Sequence, residues 1–220
     1  MEKELLFYSG GPDSTVLLKY FLKQNKNLLV VYFELGWSYE TQPRLKFQKE
    51  KVNQLINYFK KNYREFEYMD GGIFLNIPVN PPLQFGTDDQ WLVFLGSLIC
   101  RVRNIKKMWH ASFTYNWNNR KAFGKEPPYW LLQKDVQPII NFATFNDPRF
   151  RDLQFIIPKI YYDGKEIDQF KTKKEAWDYL EPEVKKLVRS CEEDLIFCGK
   201  CYKCKTWISH GMIDQNGNIT

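Results

Sequence analysis

Two groups of residues have types and spacings that can do chemistry, one near each end of the chain. Near the start runs Ser9-Gly10-Gly11-Pro12-Asp13-Ser14-Thr15, directly after the apolar run Leu5 to Tyr8. An apolar run that ends at glycine reads as a buried strand, and Val16, Leu17, Leu18, Phe21 and Leu22 follow at helical spacing. Glycines let the backbone close in and take positive φ. The N–H groups of Gly10, Gly11 and the first helical turn then converge on one spot at the positive end of a helix, which attracts phosphate. Ser9, Ser14 and Thr15 add hydroxyl donors. Asp13 is the odd member, because a carboxylate repels phosphate; it fits if it caps N–H groups or helps to hold Mg²⁺. The bland reading is a surface turn with a helix cap. The spacing is not that of a Walker loop, since no Gly-Lys-Ser/Thr follows, and it is not G-x-G-x-x-G.

Near the end, Cys191, Cys198, Cys201 and Cys204 form C-x6-C-x2-C-x2-C. Each C-x2-C step can place two thiolates on one tetrahedral metal, and Gly199 eases the turn. Four sulfurs point to a structural Zn²⁺ with a closed shell. Lys200, Lys203 and Lys205 would offset its negative charge. An iron–sulfur cluster also takes four thiolates, but the ferredoxin spacing is absent. Disulfides conflict with a reducing compartment. The fifth cysteine, Cys100, lies in an apolar helical stretch and reads as a core residue.

The elements that must position these groups alternate. A second buried strand is expected at Leu28 to Phe33 and a helix at Gln42 to Asn62, with Leu45, Val52, Leu55, Ile56 and Phe59 on one face. A weak strand follows at Phe66 to Met69, a largely buried helix at Gln90 to Asn104, and a strand at Lys107 to Phe113. Residues 114–152 read as a long loop plus a helix near Trp130 to Phe145. Leu153 to Tyr162 is a late strand that Pro158 confines to an edge or strand end. Helices are expected at Lys171 to Tyr179 and Pro182 to Arg189, broken at Pro182. Continuous apolar strands alternating with helices predict an α/β fold, a Rossmann-like, mostly parallel sheet with helices on both faces. Ligands bind such sheets beyond the carboxyl ends of the strands, where the opening loop lies. Residues 1–190 are expected to form this domain, with 191–220 a metal-binding knuckle on the same body.

The bulk numbers agree. The 220 residues are 44% apolar and 26% charged, the ordinary globular range, so disorder is not expected. A net charge of +6 suits an anionic ligand or RNA without requiring either. No stretch approaches the ~18 apolar residues of a membrane span. The N-terminus MEKELLFYSGG does not read as a signal peptide, and a cytoplasmic protein is expected.

The opening loop matches S-G-G-x-D-S, the signature of the PP-loop ATP pyrophosphatases. Together with the C-terminal Cys198-Gly199-Lys200-Cys201-Tyr202-Lys203-Cys204, it resembles the 7-cyano-7-deazaguanine (preQ0) synthase family. The resemblance spans nearly the whole chain, with its specific residues at the two ends. It implies an adenine nucleotide alpha hydrolase-like fold, with ATP cut between its α and β phosphates. It also implies a carboxylate of 7-carboxy-7-deazaguanine that is adenylated and then converted by ammonia to the amide and the nitrile. Asp13 and Ser14 would be catalytic, and Ser9, Gly10, Gly11, Asp13, Ser14 and Thr15 would hold ATP. The backbone at Phe33 would lie along adenine, although Glu34 and Gly36 also read as simple strand-end residues. Zn²⁺ would be structural, Mg²⁺ would assist, nucleic acid would not be required, and a homodimer is the family's habit. Lys165 is the candidate phosphate lysine, with Lys159 as fallback. The middle departs from the family: Phe85-Gly86-Thr87-Asp88-Asp89-Gln90 replaces a Pro-Gly-Arg-Asn-like segment, and Thr114-Tyr115-Asn116 stands where a Glu-Thr-Asp-type loop is expected. Asp88, Thr114 and Asn116 are therefore candidate substrate residues, and the departure leaves a different acyl substrate or amine open. A PP-loop tRNA-modifying protein is the alternative enzyme, and a zinc-knuckle nucleic-acid module the alternative without catalysis. His110 reads as a satisfied buried histidine, and His210 as a residue just past the knuckle.

Overall fold

In the computed structural model, residues 2–36, 42–75, 87–111, 133–156, 161–162, 165–166, 172–188 and 198–220 are described. The elements follow in the order β1 (Glu4–Phe7), α1 (Pro12–Lys23), β2 (Leu28–Gly36), α2 (Gln42–Asn62), β3 (Glu67–Leu75), α3 (Thr87–Arg103) and β4 (Lys107–Trp109). Then come α4 (Gln133–Ala143), β5 (Gln154–Ile156), β6 (Tyr161–Tyr162), β7 (Lys165–Glu166), α5 (Lys173–Asp178), α6 (Pro182–Leu187) and α7 (Tyr202–Ser209).

The main sheet has strand order β3-β2-β1-β4-β5, and each neighbouring pair is parallel. The period-2 alternation of the strands sorts the core into two layers. Leu6, Tyr8, Val30 and Tyr32 face one layer with α1, α2, Trp177 and Met212. Leu5, Phe7, Leu29 and Val31 face the other, with Val93, Cys100, Val136 and Ile140. Both faces are covered, which is why these strands are apolar without interruption. Gly96, which breaks the apolar run of α3, serves this packing. A Cβ there would lie 2.3 Å from Phe7 Cζ, so the missing side chain lets α3 close on the sheet.

The structure differs from the predicted elements in three places. β3 continues past Met69 to Leu75 although Asp70-Gly71-Gly72 carries no apolar signal. The register shifts between Tyr32 and Glu34, a bulge that absorbs the extra residue, with Gly72 at φ +98°. β4 stops at Trp109, four residues before the predicted end. The late strand divides: β5 joins the main sheet at its edge, whereas β6 pairs antiparallel with β7.

A polar latch joins three helices. Lys19 of α1 is 4% exposed, and its Nζ lies 2.8 Å from Glu181 Oε1 at the N-cap of α6. Tyr63, just after α2, donates its hydroxyl to the same carboxylate. Among the described residues, no helix is long and apolar enough to cross a membrane.

Candidate functional site

The chain runs from β1 to β2 and β3 on one side, then returns to β4 on the other. The order therefore reverses between β1 and β4, and the loop after β1 opens at that switch point, where open parallel sheets bind ligands. Tyr8 still belongs to the sheet, donating its N–H to the Val31 carbonyl at 2.9 Å. The backbone then turns through Gly10 at φ +72°, and Gly11 is the extended N-cap of α1. Pro12 at the first helical position has the preset φ and lacks an N–H that would otherwise be orphaned. Gly11 has no side chain to cap the helix, so its positive end is not closed from within.

Hydroxyls brace the turn. Ser9 Oγ and Ser14 Oγ are 3.2 Å apart, and Gly11 N–H donates to Ser9 Oγ at 3.3 Å. Ser14 donates to the Gly11 carbonyl at 3.2 Å, and Thr15 to the same carbonyl at 2.7 Å. Thr15 is fully buried and also bonded to the Tyr8 hydroxyl at 3.1 Å, so it supports the loop from beneath. Burial pushes the Tyr8 phenol upward, and its bond to Thr15 only partly opposes this. α2 closes the loop from the side: Gln48 Nε2 donates to the Ser9 carbonyl at 2.8 Å. A Cβ on Gly10 would lie 2.7 Å from Val52 Cγ2.

Sequence reasoning missed a neighbour of Asp13. Lys173 is 9% exposed, and its Nζ lies 3.7 Å from Asp13 Oδ2. It opens α5, whose start is set by a capping box: Thr172 accepts from Glu175 N–H at 3.2 Å while the Glu175 carboxylate accepts from Thr172 N–H at 3.3 Å. Thr172-x-x-Glu175 was readable as a helix start. That it delivers a lysine to a loop 160 residues upstream was not. His210 is half-buried at the C-cap of α7, and its basicity is lowered by burial and then by the Lys173 charge, with Asp13 opposing. Asp13 and Lys173 thus form an ion pair at the loop.

At the other end of α7, the Sγ atoms of Cys198, Cys201 and Cys204 all lie within 4.8 Å of one another, and those of Cys198 and Cys204 are 3.8 Å apart. Ligands on Zn²⁺ at ~2.3 Å in a tetrahedron sit about that far apart. Backbone N–H groups of Lys200 and Cys201 point at Cys198 Sγ at 3.4 and 3.3 Å, and that of Cys204 at Cys201 Sγ at 3.4 Å. Such donors stabilise thiolates, so the three residues fit a soft metal. Cys191 lies outside the described residues.

Of the remaining predicted positions, Phe33 sits opposite the β3 bulge, with its ring centroid 6.3 Å from that of Phe7. Asp88 is in the first turn of α3, and Lys165 is on β7. Thr114, Asn116 and Lys159 lie outside the described residues. His110 follows β4 between the rings of Phe7 and Phe155. Cys100 is fully buried, and burial pushes its thiol up to about 12.

No family model matches the chain, and no curated protein matches it. Among solved structures, it is similar to the U34-tRNA thiolase NcsA from Methanococcus maripaludis with its [4Fe-4S] cluster. That likeness has 13% identity and a TM-score of 0.44, and it covers 94% of this chain but 64% of the other, less than two thirds of its length.

Proposed function

We propose that this protein is an ATP-using enzyme of the PP-loop kind, which cleaves ATP between the α and β phosphates to activate an acceptor oxygen. The observation that carries this reading is the buried Lys173 ammonium 3.7 Å from Asp13 at the mouth of the Ser9–Thr15 loop. A buried cation at a glycine-built helix start suits a polyanion rather than a surface cap.

In this reading, the acceptor oxygen attacks the α phosphorus. The bond from that phosphorus to the bridging oxygen breaks, and pyrophosphate leaves with the electron pair. The donors of the first turn of α1, the Ser9 and Ser14 hydroxyls and Lys173 face the charge that grows on the leaving group. Asp13 holds Lys173 in place and can share a divalent cation with the phosphates. Mg²⁺, when bound, would supply further neutralisation of the polyphosphate. ATP cleavage measured as AMP and pyrophosphate tests this reading. Lys173→Ala is expected to lower the rate at least 100-fold, and release of ADP and phosphate instead would sink it.

The acceptor proposed first is the carboxylate of 7-carboxy-7-deazaguanine, with ammonia displacing AMP to give the amide. A second activation would then remove water to give the nitrile. Mass spectrometry after incubation with ATP and ammonia decides it, since absence of both products refutes this substrate. The second reading, a tRNA-modifying PP-loop enzyme, is supported by the thiol cluster of Cys198, Cys201 and Cys204, since thiolates also hold iron–sulfur centres. AMP release that requires tRNA, with a broad visible absorption in anaerobically purified protein, would select it. A thiolation route through Cys100 is disfavoured, because a buried thiol raised to about 12 stays protonated at neutral pH.

A further inference from the structure

The outer face of α3 and α4 carries aromatic side chains that reach out of the core. Trp91 and Phe94, three residues apart on α3, meet edge to face with ring centroids 5.9 Å apart. Phe94 stacks on Phe142 of α4 at 6.0 Å, with the ring planes 29° apart. Phe142 is 73% exposed, and Phe145, just past the helix, is 72% exposed. Phe145 is the informative member. α4 closes in a Schellman motif, in which Asn146 N–H donates to the Asn141 carbonyl at 2.8 Å and Phe145 N–H to that of Phe142 at 3.1 Å. Phe145 holds the left-handed position of this motif at φ +56°, a place that suits glycine. The backbone is thus strained to set a phenylalanine there, and burial does not offset the strain.

Cations gather where this row ends. The Arg101 guanidinium lies 4.9 Å from the centre of the Phe145 ring. Arg101 Nε and Arg149 Nη2 share Asp147 Oδ2, at 3.9 and 2.6 Å. Lys106 donates to the Arg149 carbonyl, so three cations surround one carboxylate. The row's other end points to the Ser9–Thr15 loop. α3 brings the chain back from β3 to the parallel β4, so it runs against the strands and starts at their carboxyl ends. Its Gly96 packs on Phe7, the last residue of β1, and Trp91 lies ~7.5 Å earlier along the helix.

We propose that this face binds an unpaired stretch of RNA, with bases stacked on Phe142 and Phe145 and phosphates held by Arg101, Lys106 and Arg149. Aromatic rings stack on any base, and cations beside them follow the backbone. Loops of RNA present such unstacked bases, and a duplex does not. The net charge of +6 draws a polyanion to the protein. A second copy of this chain fits the face less well, because a two-fold contact would set Arg101 and Arg149 against their own copies. The proposal goes beyond ATP cleavage and does not depend on it.

The test measures binding of a short labelled oligoadenylate RNA to the full chain by fluorescence anisotropy at several salt concentrations. Phe142→Ala and Phe145→Gly should each weaken binding about tenfold. Phe145→Gly should keep or raise Tm, since glycine suits the left-handed position, so its loss of binding cannot come from misfolding. Arg149→Gln should lower the slope of log affinity against log salt by about 0.7, the share of one phosphate contact. Exposed Lys61→Gln, on α2 across the sheet, should leave the affinity within twofold, about the scatter of the measurement. The same RNA paired with oligouridylate should bind at least about tenfold more weakly. Equal affinity for the duplex, or full affinity in both phenylalanine variants, would leave phosphate attraction alone and overturn the proposal. Absence of RNA binding also overturns it. In that case, a dimer that Phe142→Ala dissociates in sedimentation assigns the face to a second copy, and binding to phosphatidylserine vesicles that Phe142→Ala abolishes assigns it to a lipid surface.

Discussion

Gly10 shows how little room single residues have at the loop. Its φ of +72° already disfavours any side chain, and a Cβ would meet Val52 of α2 at 2.7 Å. Gly10→Ala is expected to cost about 1–3 kcal/mol of stability, measured by urea denaturation. It should also weaken ATP binding by moving the loop away from α2; unchanged stability would mean that the loop is not clamped there. Cys100 is the opposite case, a residue with reactive chemistry that burial removes. Native protein at pH 8 should leave Cys100 unlabelled by iodoacetamide, and Cys100→Ala should retain ATP cleavage within about twofold. Rapid labelling, or loss of cleavage in a well-folded variant, would reopen a sulfur-carrier role. Both residues were visible in the sequence. The positive φ of Gly10 follows from its motif, whereas its contact with Val52 joins positions 42 apart and has no local signal.

At the scale of elements, α5 is the informative case. Its capping box makes a helix of six residues start at one place, and that start puts Lys173 against Asp13. Thr172→Ala should lower stability by about 1 kcal/mol, as lost caps do. It should raise the apparent KM for ATP more than it lowers kcat, because the lysine loses its fixed position but not its charge. A pure stability loss with unchanged KM would separate the cap from the site. The helices themselves were legible: α2 runs from Gln42 to Asn62 as its apolar face predicts, and α3 and α4 lie within a few residues of the expected stretches. Lys165 lies on β7, which pairs antiparallel with β6, and the place of Lys173 beside Asp13 has no motif of its own to signal it.

Across the whole molecule, the latch of Lys19, Tyr63 and Glu181 sets an acid limit on stability. Burial alone would raise the Glu181 carboxyl above its ordinary value of 4.5, but hydrogen bonds from Lys19 and Tyr63 overcome this and hold it below. A carboxyl depressed in the folded state adds stability that is fully present above about 4.5 and is lost as pH falls through the folded value. Burial acts the other way on Lys19, lowering its basicity against the pull of Glu181, so the pair fixes position more than it adds net energy. Glu181→Gln is therefore expected to lower Tm at pH 7, because it leaves the Lys19 ammonium buried without its counter-charge, and to flatten the fall of Tm between pH 5 and pH 3. An acid limb unchanged from wild type would assign that fall to other carboxylates. Because the latch ties α1 to α6, its release should also loosen the loop at the head of α1, visible as faster amide exchange there.

The sequence by itself determined what acts over short range. It held the strand–glycine–helix turn, the spacing of the thiols, the helical faces and the parallel α/β class, because motif geometry and apolar periodicity are local properties. Only the tertiary structure decided which side chains share the loop's surroundings. Asp13 and Lys173 come from two distant segments. They meet because α5 packs on α1, with its Trp177 in the same core layer as Leu17 and Phe21. Burial and the placement of charge, which set a lysine beside a distant carboxylate or make a cysteine inert, belong to the folded chain and not to any stretch of it.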